Sequence, residues 1–240
     1  MMSVGSLFSG IGGLEYGLER TGSFKTIWNC EIEAYPSAVL KKHWSDVPNL
    51  GDITKVKWDE VKKPDVICGG FPCQDISVAG KGAGIKDGKR SGLWREFAKA
   101  IRVLRPKYAL IENVPMLVKR GLHVVLEDLA EIGYDAEWKI ISAAECGAPH
   151  KRERLFVIAY PHSTRQLQPE RSVKNFGGRT DNCADKTIWD ASRRPEPFVR
   201  RMVHGVPDGL DRINCLGLSV VPACAQICGE RILRLENSEP

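Results

Sequence analysis

The chain has 240 residues, of which 42% are hydrophobic and 27% charged, as is ordinary for a folded globular protein. That length can bury a real core in one large domain, or in a large domain with a small partner. No apolar run approaches the ~18 residues of a membrane span, and the N-terminal residues lack the pattern of a secretory signal, so we expect a cytoplasmic protein.

The net charge of +5 is concentrated in one segment. Residues 1–150 carry 20 Lys and Arg against 19 Asp and Glu, residues 151–212 carry 13 against 8, and residues 213–240 carry 2 against 3. This excess favours contact with a polyanion, although a solvated basic surface would give the same count. The 8 cysteines include no Cys-x-x-Cys pair, so we predict no metal site, and most of them are typical of small core residues.

Short apolar runs predict strands at residues 3–8, 26–30, 65–68, 108–111, 134–142 and 155–160. Apolar residues at helical spacing predict helices at about residues 14–20, 36–43, 93–104, 122–132 and 223–233. This alternation indicates an α/β fold with a doubly wound, mostly parallel sheet. We expect one domain from residues 1–160 and 213–240, with residues 161–212 as a small loop-rich segment or a disordered one.

Several chemically informative residues follow the predicted strand ends, where ligands bind in such folds. They are residues 8–13, Glu31, Asp52, Cys73 and Glu112. Cys73 lies in Gly70-Phe-Pro-Cys-Gln, before a loop rich in Gly and Lys. A thiol beside positive charge on a loop is typical of a nucleophile, whereas Cys68, inside an apolar run, is typical of the core.

The segment Phe8-Ser-Gly-Ile-Gly-Gly joins a strand to a helix, and its glycines permit close approach of a ligand to the backbone. It matches neither the dinucleotide nor the phosphate-loop pattern. With Glu31 and Asp52 as partners for a nucleoside, it predicts a nucleoside-bearing cofactor without a polyphosphate. A tight turn and two helix-start carboxylates are the alternative.

Glu112 is a candidate acid, or alternatively a carboxylate that caps the next turn. Arg152 and Arg154 are alternate residues just before the predicted strand 155–160, so we expect their side chains to share one face. Two guanidinium groups on one face can bind a base oxygen or a phosphate, or simply form salt bridges at a sheet edge.

Five segments together resemble the DNA (cytosine-5)-methyltransferases, in that family's order. They are Gly5-Ser-Leu-Phe-Ser-Gly-Ile-Gly-Gly-Leu, Gly51-Asp-Ile-Thr, Gly70-Phe-Pro-Cys-Gln, Glu112-Asn-Val and Lys151-Arg-Glu-Arg. The resemblance covers about residues 3–160 and 205–233, and the stretch 189–212 is similar to prophage-type members in particular.

The resemblance implies a Rossmann-like fold, S-adenosyl-L-methionine as methyl donor, and a cytosine flipped out of duplex DNA as acceptor. It implies that Cys73 attacks C6 of the base, Glu112 contacts N3, Arg154 contacts O2 and Arg152 supports the nucleophile loop. The cofactor-binding residues implied are Phe8, Ser9, Gly10, Ile11, Gly12, Gly13, Glu31, Ile32, Asp52, Ile53, Pro72 and Leu93. The DNA-binding residues implied are Gln74, Ser77, Lys81, Lys89 and Arg90.

The same resemblance implies a monomer in a bacterial or phage-infected cell, with a role in restriction–modification or as an orphan or phage enzyme. A cognate restriction endonuclease would be its partner in the first case. Residues 161–212 would form a target-recognition segment of only 52 residues.

Two departures leave an alternative open. The family's closing motif, usually Gly-Asn-Ser/Ala-Val, here reads Gly217-Leu-Ser-Val, and the recognition segment is short. A catalytically weak DNA-binding relic would carry both features. The tRNA-methylating branch of the family is less well matched, because its Pro-Pro-Cys and Cys-Phe-Thr motifs are absent from this sequence.

Overall fold

A computed structural model describes residues 1–72, 92–162, 216–217 and 219–237. In this part of the chain, six strands form a single sheet with the order β2-β1-β3-β4-β6-β5. The strands are β1 (Met2–Leu7), β2 (Phe24–Cys30), β3 (Val66–Gly70), β4 (Tyr108–Asn113), β5 (Tyr134–Ser142) and β6 (Glu153–Pro161). Each of the six predicted strands is present; β5 has the predicted bounds, and the ends of the other five differ by one or two residues.

The sheet is mostly parallel, as predicted. β1 pairs in parallel with both β2 and β3, and β3 pairs in parallel with β4. β6 is the exception, because it runs antiparallel to both of its neighbours, β4 and β5. From β1 the chain adds β2 on one side and β3 on the other, which opens a crevice at the carboxyl ends of these strands.

Six α-helices accompany the sheet in the described residues. They are α1 (Gly13–Glu19), α2 (Ala34–His43), α3 (Gly92–Leu104), α4 (Leu117–Arg120), α5 (Leu122–Ile132) and α6 (Pro222–Glu236). The short α4 was not predicted, because four residues are too few to show a helical period. None of these helices has the length and apolar content that a membrane span needs.

Two apolar layers cover the faces of the sheet. One layer packs α3 and α5 against strand residues such as Ile67 and Ile111. The other packs α1 and α6 against Cys68 and Leu110, which are adjacent in sequence to Ile67 and Ile111. Successive strand residues thus enter opposite layers, as the alternation of side chains along a strand requires. Burial on both faces explains why the sequences of the central strands are nearly continuous apolar runs.

A charged pair with a buried carboxylate joins the C-terminal helix α6 to the sheet. Arg231 donates from Nε to Glu137 Oε1 at 2.7 Å and from a terminal nitrogen to Oε2 at 2.9 Å. The Glu137 side chain, on β5, is only 5% exposed. The domain boundary predicted at residues 161–212 stays a prediction, because residues 163–215 lie outside the described part of the chain.

We predict that Arg231→Met lowers the free energy of unfolding by about 3 kcal/mol, because it leaves a buried carboxylate unpaired. Urea unfolding followed by circular dichroism measures this change. The same substitution at Arg234, whose side chain is 66% exposed, is the control. It should cost less than about 0.5 kcal/mol. Equal losses in both variants would contradict a special role for the Arg231–Glu137 pair.

Candidate active site

The predicted site residues in the described part of the chain meet at the carboxyl edge of the parallel strands. Phe8 follows β1, Glu31 follows β2 and Phe71 follows β3. Glu112 is the second-to-last residue of β4. These four strands are consecutive in the sheet.

The loop after β1 has a fixed and unusual backbone. Phe8 has a φ of 52°, a left-handed value that non-glycine residues adopt at a cost of about 1–3 kcal/mol. Its ring lies 6.4 Å from the Phe97 ring on α3. The Ser9 hydroxyl donates to Ser6 Oγ at 2.9 Å and accepts from the Cys30 amide at 3.3 Å. These contacts anchor the loop to both β1 and β2.

Glu31 is held by backbone amides. Its Oε2 accepts from the Gly10 amide and its Oε1 from the Glu33 amide, both at 2.8 Å, and the residue is 9% exposed. Each carboxylate oxygen keeps a second lone pair for a ligand hydroxyl. The next residue, Ile32, is 66% exposed, a high value for a large aliphatic side chain beside a binding edge.

Asp52 makes local contacts. Its Oδ1 accepts from Thr54 Oγ1 at 2.7 Å and from the Thr54 amide at 3.0 Å, so it caps the short 3₁₀ turn Ile53–Lys55. These hydrogen bonds, with a smaller contribution from Lys55, hold the pKa of Asp52 below its usual value. Ile53 is buried in the core, and Leu93 packs against the same apolar layer.

Glu112 forms the buried centre of the site. The residue is 8% exposed, and its Oε1 lies 3.0 Å from Nε of Arg154 on the antiparallel neighbour β6. Gly70 is paired with Glu112 in the sheet, and a Cβ at position 70 would lie 2.4 Å from Glu112 Oε2. A glycine at position 70 is therefore required for the carboxyl group to lie where it does.

The environment of Glu112 makes it a usable acid. Burial raises the pKa of Glu112 to about 7, although the neighbouring charges of Arg154 and Arg152 act in the opposite direction. A carboxyl group with that pKa is partly protonated at neutral pH, which suits general acid chemistry.

Arg152 contacts a different part of the chain. One terminal nitrogen donates to the Gly217 carbonyl at 2.6 Å and to the Ser219 carbonyl at 2.7 Å. Next to these residues, the Val220 carbonyl lies 2.7 Å from where a Cβ would stand on Gly13. The segment 219–220 is therefore enclosed between the start of β6 and the glycine loop, an arrangement that the sequence motifs did not reveal.

Cys73 lies outside the described residues, as do Gln74, Ser77, Lys81, Lys89, Arg90 and Leu218. Phe71 and Pro72, just before Cys73, are among the described residues, and Phe71 is fixed by two contacts. The Asn113 side-chain amide donates to the Phe71 carbonyl at 3.1 Å, and the Phe71 ring lies 5.3 Å from that of Trp94. Asn113 was not singled out from the sequence, although its place in Glu112-Asn-Val was a usable signal.

The described part of the chain holds no group of three His, Cys, Asp or Glu side chains suited to a metal ion. What it does bring together is a buried acid with a guanidinium partner, and a glycine loop flanked by a carboxylate and an exposed aliphatic side chain. Such a site can stabilise charge on a planar ring and bind a nucleoside.

Comparison with known proteins identifies a family. Residues 2–201 match the family of C-5 cytosine-specific DNA methylases. The chain is 35% identical over 205 residues to the Type II methyltransferase M1.ScrFI of Lactococcus lactis subsp. cremoris, covering 78% of this chain and 52% of that protein. It is 33% identical over 168 residues to the Type II methyltransferase M.NgoBI of Neisseria gonorrhoeae, covering 68% and 52%.

Among solved structures, a Spodoptera frugiperda DNMT2 variant matches with a TM-score of 0.58 at 21% identity, covering 74% of this chain and 57% of that one. With the six-stranded sheet, this likeness confirms the predicted Rossmann-like fold. The chain spans about half the length of the curated relatives it matches. Because the family match extends over most of its sequence, the chain belongs to the C-5 cytosine-specific DNA methylase family.

Proposed function

We propose that the protein transfers a methyl group from S-adenosyl-L-methionine to C5 of a flipped-out cytosine in double-stranded DNA. The observation that carries this proposal is the buried Glu112–Arg154 pair, at 3.0 Å, beside the strand that leads into Phe71-Pro-Cys. A partly protonated acid with an adjacent cation can bind the N3 and O2 edge of cytosine. N3 and O2 belong to the same cytosine ring whose C6 the Cys73 thiolate would attack.

Cytosine C5 is a poor nucleophile, so a covalent step is required. The Cys73 thiolate adds to C6, and the Glu112 proton moves to N3 as electron density shifts into the ring. C5 can then bond the methyl carbon, while the electrons of the broken carbon–sulfur bond stay on sulfur. Loss of the C5 proton to a base restores the C5–C6 double bond as Cys73 leaves as a thiolate, and the N3 proton returns to Glu112.

The cofactor would supply a methyl group activated by a positively charged sulfur. The site fits it in two respects. Glu31, fixed by two amides, has lone pairs left for ribose hydroxyls, and the exposed Ile32 offers an apolar surface to adenine. The remaining proposed contacts are Phe8, Ser9, Gly10, Ile11, Gly12, Gly13, Asp52, Ile53, Pro72 and Leu93.

DNA binding is supported by charge and by relatedness. The +5 excess of residues 151–212 favours a polyanion, and Gln74, Ser77, Lys81, Lys89 and Arg90 are the proposed contacts on the nucleophile loop. The relatives named above are Type II methyltransferases. We therefore propose a cytoplasmic monomer that acts in restriction–modification, with a cognate endonuclease, or as an orphan or phage methyltransferase.

A second candidate is a DNA-binding relic with little turnover. It is favoured by the short recognition segment of residues 161–212 and by Leu218, which replaces the amide of the family's closing motif. Such a protein would bind cofactor or DNA and leave cytosines unmodified.

Trapping on 5-fluorocytosine DNA separates these candidates. Fluorine at C5 cannot leave as a proton does, so the covalent adduct should persist and migrate as a stable protein–DNA band on a denaturing gel. Cys73→Ala should abolish the adduct, whereas Cys68→Ala, at a fully buried position in β3, should retain it. DNA binding with no adduct and no transfer of labelled methyl would support the relic, and label found only on tRNA would refute DNA as the substrate.

We predict that Glu112→Gln slows single-turnover methyl transfer by about 100-fold or more, because the amide cannot deliver a proton. The dissociation constant for the cofactor should change by less than about threefold. In the wild type the protonated acid is lost as pH rises through about 7, so the Glu112 contribution to the rate should fall above that pH. This decline should be absent from the Gln variant.

Glu127→Gln, at an exposed position on α5, is the matched control and should keep the rate and pH profile of the wild type. A Glu112→Gln variant with the wild-type rate would contradict the acid role.

We also predict that Arg152→Met loosens the segment 219–220. Loss of two hydrogen bonds of about 1 kcal/mol each should speed hydrogen exchange at the Ser219 and Val220 amides by about 30-fold. Mass spectrometry of peptic fragments measures it. Arg102→Met, at an exposed position on α3, should leave the exchange unchanged. Unchanged exchange in Arg152→Met would show that other contacts hold the segment.

A further inference from the structure

Glu15, on the first turn of α1, is a buried carboxyl group that the proposed reaction does not use. It is 0% exposed, and neither oxygen has a hydrogen-bond partner among the described residues. An unpaired buried carboxylate is costly, so such groups favour the neutral form. Burial raises the pKa of Glu15 to about 7.

The nearest polar groups satisfy Glu15 only in part. The hydroxyls of Ser6 and Ser9 and the amide of Glu15 itself lie close enough to favour its ionised form, although none makes a well-formed hydrogen bond to it. The two hydroxyls also bond to each other at 2.9 Å. A hydroxyl has one hydrogen to donate, so at most one of the two remains for the carboxyl group. Glu15 therefore has fewer donors than an ionised carboxylate requires.

The charged surroundings of Glu15 are acidic. The charged neighbour on its own helix is Glu19, and β3 contributes the thiol of Cys68, whose pKa is raised by burial and then by Glu15. Where α6 packs on α1, it presents Pro222 and Ala225, which do not titrate. Within the described residues no cation contributes to the electrostatics of Glu15.

The position of Glu15 relates it to the proposed cofactor loop. Ser9 belongs to that loop, and the next amide, of Gly10, is the one that Glu31 holds. Glu15 thus lies beneath the loop, one side chain away from the backbone that would face the methionine part of the cofactor. The cation that its surroundings lack would be supplied from the other side of the loop.

We propose that Glu15 ionises when the positively charged cofactor binds, and so makes the protein favour S-adenosylmethionine over S-adenosylhomocysteine. The two ligands differ by one methyl group and by the positive charge on sulfur. A nearby cation stabilises a carboxylate, and by linkage an ionised carboxylate binds the cation more tightly. This inference rests on the cofactor site proposed above.

Titration calorimetry of the full chain tests the proposal. A coupling of about one pKa unit predicts that affinity for S-adenosylmethionine rises about fivefold between pH 5.5 and 7.5. It also predicts release of about half a proton per ligand near pH 6.5, read from heats in two buffers of different ionisation enthalpy. S-Adenosylhomocysteine should show a smaller rise and less release. The range ends below about pH 8, where the ligands' own amino group titrates.

In the isosteric Glu15→Gln variant, the two ligands should no longer differ in proton release or in the rise of affinity with pH. Glu33→Gln, which changes an exposed carboxylate near the loop, should keep both differences. Equal proton release with both ligands in the wild type would overturn the inference and leave the proposed function intact. That comparison also decides the matter if Glu15→Gln fails to fold. Binding of neither ligand by the wild type would overturn the inference and the proposed cofactor site together.

Discussion

The site depends on the burial of one carboxyl group between three strands. Glu112 occupies the space that a side chain at position 70 would fill, and it meets Arg154 across the antiparallel pair of β4 and β6. A parallel partner at that place would run the other way and would not return Arg154 to the same edge of the sheet. The reversed direction of β6 is therefore part of the chemistry as well as of the topology.

The start of β6 also contacts two parts of the chain that are distant in sequence. Arg152 and Arg154 are two residues apart, yet one binds the backbone at residues 217 and 219 and the other binds the Glu112 side chain. The close approach of Val220 to Gly13 brings that segment against the proposed cofactor loop. Gly217, Ser219 and Val220 therefore contact both the start of β6, where Arg154 also lies, and the proposed cofactor loop.

Much of the fold was readable from the sequence, because the central strands β1, β3, β4 and β6 are largely buried on both faces and helices such as α3 have an apolar stripe. Residues such as Trp94, Phe97 and Ile101 show the helical period of α3 directly. The direction of β6 was not readable, since apolar runs carry no sign of strand orientation. The grouping of Glu112 with Arg154 followed from motif order, whereas their distance and the raised pKa required burial and pairing to be known.

What the sequence concealed most fully is how differently the three carboxyl groups of the site are held. Glu31 is bound by two amides, Glu112 by a guanidinium group, and Glu15 has no good partner among the described residues. All three read alike as acidic residues near strand ends or a helix start. Since partners decide whether a buried carboxyl group is charged, the three are suited to different tasks. Fixed acceptors favour a neutral ligand group, a partly protonated carboxyl group favours acid chemistry, and an unpaired carboxyl group favours an arriving cation.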